Sequence, residues 1–354
     1  MSVEEILKEI EGGLTGEIKK DMDYLQVCLK RYNKHEDIEE RKAIVRGIQS
    51  MMFKVSPQET EKFARMNMTA MQQAYKEILD KALAYSRARD AEKVIETLEP
   101  VIKKIEAEDV YKDDDETEYV IFAQPMEKAI YSYKFKNDKK TYTPIEPLPD
   151  FYYLYGVAKK VQGDNKAAID ALQKAIRWDP VACGIYLELA DYIREEGDTE
   201  KFMELNEKAF EYAYMSGDLA RCYSAFGRFY LERGRMDTAI ACMQMSFMLV
   251  KENPFAKILF DELQKNVDED KLKPMKMEEV AETLKRNNLP EMPDKDVVGI
   301  AYTYASKYAE AKNPNAAAYY YQIVYGLTRD DRIKALLDEQ EKAIEEKKKA
   351  AETK

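Results

Sequence analysis

A short phrase of small and aromatic residues returns three times in the second half of the chain. Tyr155-Gly156 is followed by Gly163 and Ala168, Leu189-Ala190 by Gly197 and Phe202, and Phe226-Gly227 by Gly234 and Ala239. Gly163 and Gly197 stand 34 residues apart, as do Ala175 and Ala209, whereas Gly197 and Gly234 are separated by 37, as if three residues were inserted. A unit of this length cannot bury its own apolar side, so a fixed period of this kind implies neighbours that stack. At 354 residues the chain is long enough for two or three compact domains or for one array, and the repeat favours the array.

Within each unit the residue types are those of two packed helices. Tyr152 and Tyr155 fill the space between the helices of the first unit, while Gly156 and Ala168 are small where backbones must approach. Gly163 suits a turn that needs positive φ. Leu172 and Ala175 pack the second helix, and Asp179-Pro180 ends it, because the residue before proline is pushed out of the α region. The second unit repeats this with Tyr186, Leu189, Ala190, Gly197, Phe202 and Ala209, but Asn206 stands where a large apolar residue is expected. The third uses Tyr223, Phe226, Gly227, Gly234, Ala239, Met243 and Ser246. A helix-turn-helix at this period resembles the tetratricopeptide repeat (TPR), and uncharacterised bacterial cytoplasmic members of that family in particular. The resemblance implies an all-α, right-handed solenoid.

The rest of the chain is read around that array. Residues 1–86 form an N-terminal helical region, with Ser56-Pro57-Gln58-Glu59 as a helix start. Residues 87–105 make a repeat-like helix with Ala91, Ile95, Leu98 and Ile102 inward, and 106–149 an irregular insertion. Three repeat units occupy 150–253, a degenerate repeat or linker 254–296, a fourth unit 297–329 and a charged C-terminal helix 330–354. In the linker, Phe255, Ile258, Leu259 and Leu263 fall on one helical face; in the fourth unit Asn313-Pro314 replaces the turn glycine. The insertion departs from the pattern, since Tyr119 to Phe122 and Ala129 to Phe135 are rich in β-branched and aromatic residues and Thr141 to Pro149 holds three prolines. A small β-hairpin or an irregular loop is expected there. Such an insertion either carries function or plugs exposed core.

Several chemistries find no support. A net charge of −11 argues against a general nucleic-acid binder, which needs a basic face. The start of the chain mixes Glu4, Glu5, Lys8 and Glu9 with apolar residues, and no apolar run reaches the length of a membrane span, so a cytoplasmic protein without membrane attachment is expected. Cys28, Cys183, Cys222 and Cys242 are widely spaced and read as reduced, buried thiols. No phosphate-binding, dinucleotide, nucleophile-elbow or zinc motif occurs, so no cofactor is implied. The single histidine, His35, reads as part of a polar helix start, which leaves no histidine-assisted catalytic arrangement. Asp113 to Asp115 lack the ligand spacing of a calcium loop and read as a solvated turn. No metal site is expected. The 25 tyrosines and 17 methionines read chiefly as core of a thin helical layer.

The resemblance also implies a binding face, because in that family the first helix of each pair lines a concave groove. Carried onto this chain, the groove positions are Asp150, Tyr153, Val157 and Lys160, then Gly184, Leu187, Asp191 and Arg194, then Arg221, Ser224, Arg228 and Leu231. Tyr153 and Val157 stand where chaperone-binding members carry Lys and Asn, so that carboxylate clamp is not expected. The candidates are Tyr153, Lys160, Asp191, Arg194, Arg221 and Arg228, and the arginines either bind a ligand or pair with acidic neighbours. The expected function is a non-catalytic scaffold or adaptor that binds a protein or peptide segment. The rivals are a peptide-responsive regulatory switch and a carboxylate-based or metal-dependent enzyme centred on the insertion. On sequence grounds, reversing Arg194, Arg221 and Arg228 to Glu should abolish partner capture and leave the melting temperature nearly unchanged.

Overall fold

The computed structural model describes residues 1–136, 138–266 and 272–352. The chain divides into two units, residues 1–112 with 144–147 and residues 113–143 with 148–354.

The first unit consists of five helices, α1 (Val3–Gly12), α2 (Ile18–Tyr32), α3 (Ile38–Val55), α4 (Pro57–Arg87) and α5 (Ala91–Glu108). Ile6 and Ile10 of α1 meet Met22, Leu25 and Leu29 of α2 and Ile44, Ile48 and Met52 of α3 in one core. Starts are set by short polar caps: Ser2 accepts from the Glu5 N–H, and Ser56 accepts from the Glu59 N–H ahead of Pro57. His35 lies in the turn before α3, but the cap itself is Asp37, whose carboxylate accepts from the Glu40 N–H at 2.9 Å. The short segment 144–147 joins this unit, with Glu146 accepting from the Tyr111 hydroxyl at 2.5 Å.

The second unit is a run of antiparallel helix pairs. They are α7 (Leu148–Val161) with α8 (Asn165–Trp178), α9 (Cys183–Glu195) with α10 (Thr199–Tyr212), and α11 (Ser216–Glu232) with α12 (Met236–Leu249). Next come α13 (Pro254–Asn266) and α14 (Met277–Arg286), then the pair α15 (Lys295–Glu310) and α16 (Pro314–Thr328), and finally α17 (Asp331–Glu352). This is the all-α, tetratricopeptide-type fold that the repeat implied. Gly163, Gly197 and Gly234 take φ of 82°, 90° and 70° in the three turns, a region open to glycine at little cost. In the fourth pair Lys312 supplies the left-handed residue and Asn313 caps the next helix, so the glycine-free turn is closed by different residues in the same geometry.

Close approach inside a pair is visible at Gly156. A Cβ there would sit 3.0 Å from the Ala168 carbonyl oxygen and 3.2 Å from the Ala171 Cβ. Gly227 is confined in the same way by the Ala239 carbonyl at 3.2 Å and by Leu259. On α13 the inward face is Ala256, Leu259 and Leu263, all fully buried, whereas Phe255 and Ile258 remain exposed. The face read from sequence is therefore rotated, and two of its four apolar residues point away from the core.

The insertion is not a β-hairpin. Its two strands, β1 (Thr117–Tyr119) and β2 (Lys140–Tyr142), pair in parallel, with Glu118 opposite Thr141, and a helix, α6 (Pro125–Phe135), lies between them. Parallel strands need a crossover, which a tight turn cannot make. The run that reads as β-rich is helical because Pro125 occupies the first turn and Met126, Ala129 and Ile130 fall on one buried face. That face joins a core shared with Val181 and Leu187 and with Ile300 and Tyr320 of the fourth pair. The packing supports the plug reading of the insertion.

Two glycines test the role of close approach. Gly156→Ala should lower stability by about 1–3 kcal/mol, as overpacking does. Gly299→Ala on α15, where nothing lies within 4 Å of the added methyl, should raise it by about 0.5–1 kcal/mol. Urea denaturation of both variants measures the contrast.

Candidate functional site

The first helices α7, α9 and α11 stand side by side, and α13 follows α11. Their facing residues form a ladder of ion pairs running from helix to helix. Lys160 of α7 reaches Glu195 of α9 at 2.5 Å and also donates to Asn165 at 2.9 Å. Arg221 of α11 bonds Asp191 at 2.8 Å and Glu188 at 3.1 Å, both on α9. Arg194 of α9 meets Glu232 of α11 at 3.1 Å, and Arg228 of α11 meets Glu262 of α13 at 3.6 Å. The three arginines thus each engage a carboxylate on the neighbouring first helix. Burial pulls the Arg221 guanidinium down, but the bonds to Asp191 and Glu188 outweigh it and leave it above its ordinary value. Tyr153 of α7 is half-buried beside Glu188 and Arg221, and burial chiefly raises its hydroxyl.

Between α9, α11 and α13 lies an open cavity of about 400 Å³. Asp191, Arg194, Arg221 and Arg228 line it, together with Tyr192, Asn206, Ser224, Phe255 and Ile258. Tyr153 and Lys160 are not among its lining residues. Arg221 lies over the Phe255 ring at 4.5 Å, so the exposed aromatic and the ion pair form one wall. Four of the six candidates line this cavity; Phe255 and Ile258, which the sequence pattern assigns to the core face of α13, line it too, as does Glu188 of α9, beside the groove position Leu187. Asn206 was legible as a break in the apolar pattern, though on the second helix of its pair and outside the positions the resemblance marks.

A second cluster escaped sequence reading altogether. Glu127 of α6 and Asp179, at the end of α8, are 7% and 2% exposed. Glu127 accepts from the Gln124 N–H at 2.8 Å and the Tyr214 hydroxyl at 3.3 Å; burial nonetheless raises its carboxyl. Asp179 accepts from the Val181 N–H at 3.3 Å, and burial, with Glu127 nearby, pushes its carboxyl up to about 8. These groups join the insertion to the first and second pairs.

The aspartates of the insertion serve its turn. Asp114 accepts from the Glu116 and Thr117 N–H groups at 2.9 and 2.7 Å, and Asp113 accepts from the Tyr119 N–H and pairs with Arg177 at 2.8 Å. Among the described residues no group of three or more His, Cys, Asp or Glu is placed to hold a metal ion, and no helix is long and apolar enough to cross a membrane. All four cysteines are free and buried.

No family model and no curated protein matches the sequence. Among solved structures, PilF of Pseudomonas aeruginosa is similar at 13% identity and a TM-score of 0.40, over 77% of this chain and 99% of that one. The MamA protein is similar at 18% identity and a TM-score of 0.33, over 64% of this chain and 90% of that one. The C-terminal part of a TPR repeat-containing protein from Cytophaga hutchinsonii shows 13% identity and a TM-score of 0.36, over 89% and 99%. Likeness at this level says nothing about partners.

Two predictions follow from the charges. Because Arg221 bonds both Glu188 and Asp191, reversing its charge should cost stability, which revises the expectation of a nearly unchanged melting temperature. Arg221→Glu should lower stability by roughly 1–3 kcal/mol at low salt and by less at 1 M salt, where the ionic strength screens the new repulsion, about 3 Å being the screening length there; thermal melts at both salt concentrations measure this. A raised Asp179 carboxyl means that the folded state prefers the proton, so its stabilising contribution is present below about pH 4 and is lost as pH rises to about 8. Asp179→Asn should therefore gain in melting temperature over wild type progressively across that window, and an unchanged difference at the two ends would remove the buried-proton assignment.

Proposed function

We propose that the protein is a non-catalytic scaffold that holds a segment of a partner protein against the face made by α7, α9, α11 and α13. The observation that carries this reading is the open cavity lined by α9, α11 and α13. Its volume, about 400 Å³, falls within the range of ligand sites, roughly 300–1,000 Å³. Its rim offers Phe255 and Ile258, which are 37% and 46% exposed and contribute apolar surface beside polar walls. Tyr153 and Lys160 extend the same face toward the first pair, and Lys160 lies over the Tyr192 ring at 5.0 Å. Rigid, mutually paired helices present such a face without reorganisation, which lowers the entropic cost of binding.

The arginines enter this reading as walls and not as an anion clamp. Each is engaged by a carboxylate, so a phosphate or carboxylate ligand would have to displace an existing partner.

Selection of short random peptides from a display library, with the full-length protein as bait, tests the proposal. Binders should lose about tenfold or more in affinity on Ile258→Arg, an exposed substitution that leaves the helical circular dichroism unchanged. Binders that ignore it, and whose photo-crosslinks fall outside α7, α9, α11 and α13, would place the binding face elsewhere.

A further inference from the structure

Two residues that line the cavity, Asn206 of α10 and Arg194 of α9, each carry a buried polar atom without a hydrogen-bond partner among the described residues. Asn206 is 1% exposed, and its Nδ2 donates to the Phe202 carbonyl at 2.7 Å. A carbonyl can only accept, so this bond fixes the amide orientation and leaves Oδ1 as the free acceptor. Arg194 donates from Nη1 to Glu232 at 3.1 Å. Among the described residues neither Oδ1 of Asn206 nor Nε of Arg194 has a hydrogen-bond partner, although both atoms are buried. Both residues line the same cavity. Leaving a buried polar atom unpaired costs about 1–3 kcal/mol, and a large apolar side chain, which this repeat position calls for, would avoid it.

The charge in the cavity limits what could use these atoms. Arg194, Arg221 and Arg228 are balanced by Glu188, Asp191 and Glu195 among the lining residues. An anion would compete with carboxylates for the arginines, and a cation would compete with arginines for the carboxylates. A neutral group carrying one donor and one acceptor competes with neither. A peptide unit is such a group.

We propose that this cavity is a subsite for an uncharged, extended stretch of a partner polypeptide, whose backbone N–H donates to Asn206 Oδ1 and whose backbone carbonyl accepts from Arg194 Nε. An apolar side chain of the same stretch lies on Phe255 and Ile258. Asn206 is then the residue that reads main chain, and the partner is selected by its lack of charge over this stretch. The inference rests on the scaffold reading above and specifies the chemistry of its ligand.

The test uses peptides from the same display selection on the full-length protein, measured by titration calorimetry. The selected peptides should carry little net charge in their crosslinked stretch. Asn206→Leu and Asn206→Ala should each weaken binding by about tenfold, the second without adding bulk to the cavity, and Arg194→Lys should weaken it while keeping the charge beside Glu232. Methylating one backbone nitrogen of the peptide should cause a similar loss with wild type and little further loss with Asn206→Ala. A melting temperature for Asn206→Leu at or above wild type shows that the losses are not due to unfolding. Peptides that need Ile258 but bind both Asn206 variants as tightly as wild type would overturn this subsite and leave the scaffold reading standing. Strongly charged peptides in the cavity would overturn the neutral-ligand assignment. A selection that yields no peptide dependent on this face would remove both.

Discussion

The second unit depends on two helix backbones lying almost in contact. At Gly156 and Gly227 the neighbouring helix brings a carbonyl oxygen to within 3.0 and 3.2 Å of where a Cβ would be. That proximity lets Ala168, Leu172 and Ala175 pack without a gap, and all three are fully buried. Interiors packed this tightly have little freedom to shift, so each pair presents its outer residues in a fixed arrangement. The turn glycines make the reversal possible, but the small residues inside the helices set the distance.

A fixed spacing between pairs is what allows side chains on successive first helices to meet. The ladder from Lys160 through Glu195, Asp191, Arg221, Arg194, Glu232, Arg228 and Glu262 joins four helices by charge. Individual partly exposed pairs contribute little, about 0–1 kcal/mol each, so the ladder orients the face more than it holds the fold. Its balance has a chemical consequence, since a wall with its charges already paired favours a ligand that is itself neutral. The two unpaired atoms, on Asn206 and Arg194, are then the polar features of that wall left to distinguish one neutral ligand from another.

The insertion shows a different use of polar groups. Glu127 and Asp179 are buried where α6 meets the repeats, and Tyr214 and backbone N–H groups bind them. Two carboxyls taken from water together favour holding a proton, which ties this docking contact to pH. Around them Met126, Ile130, Val181 and Leu187 form continuous core, so the insertion is built into the array and is not appended to it.

Much of the architecture was legible in the sequence because its signals are local. The spacing of Gly163 and Gly197, the small residues at 156, 168, 227 and 239, and the ending at Asp179-Pro180 act within a turn or two of their own positions. The α13 face and the insertion were misread for the opposite reason. Which side of Phe255 to Leu263 is buried depends on where α11 and α12 lie, and whether Ala129 to Phe135 is strand or helix depends on the core it enters. The site was half legible: the resemblance pointed to Asp191, Arg194, Arg221 and Arg228, and Asn206 stood out as a polar residue at an apolar position. Sequence alone determined that helices pair at a fixed period and which residues stay small. Tertiary structure decided which carboxylate meets each arginine, that Phe255 and Ile258 line a cavity, and that Oδ1 of Asn206 and Nε of Arg194 find no partner among the described residues, because all of these depend on distances between residues that the chain itself holds far apart.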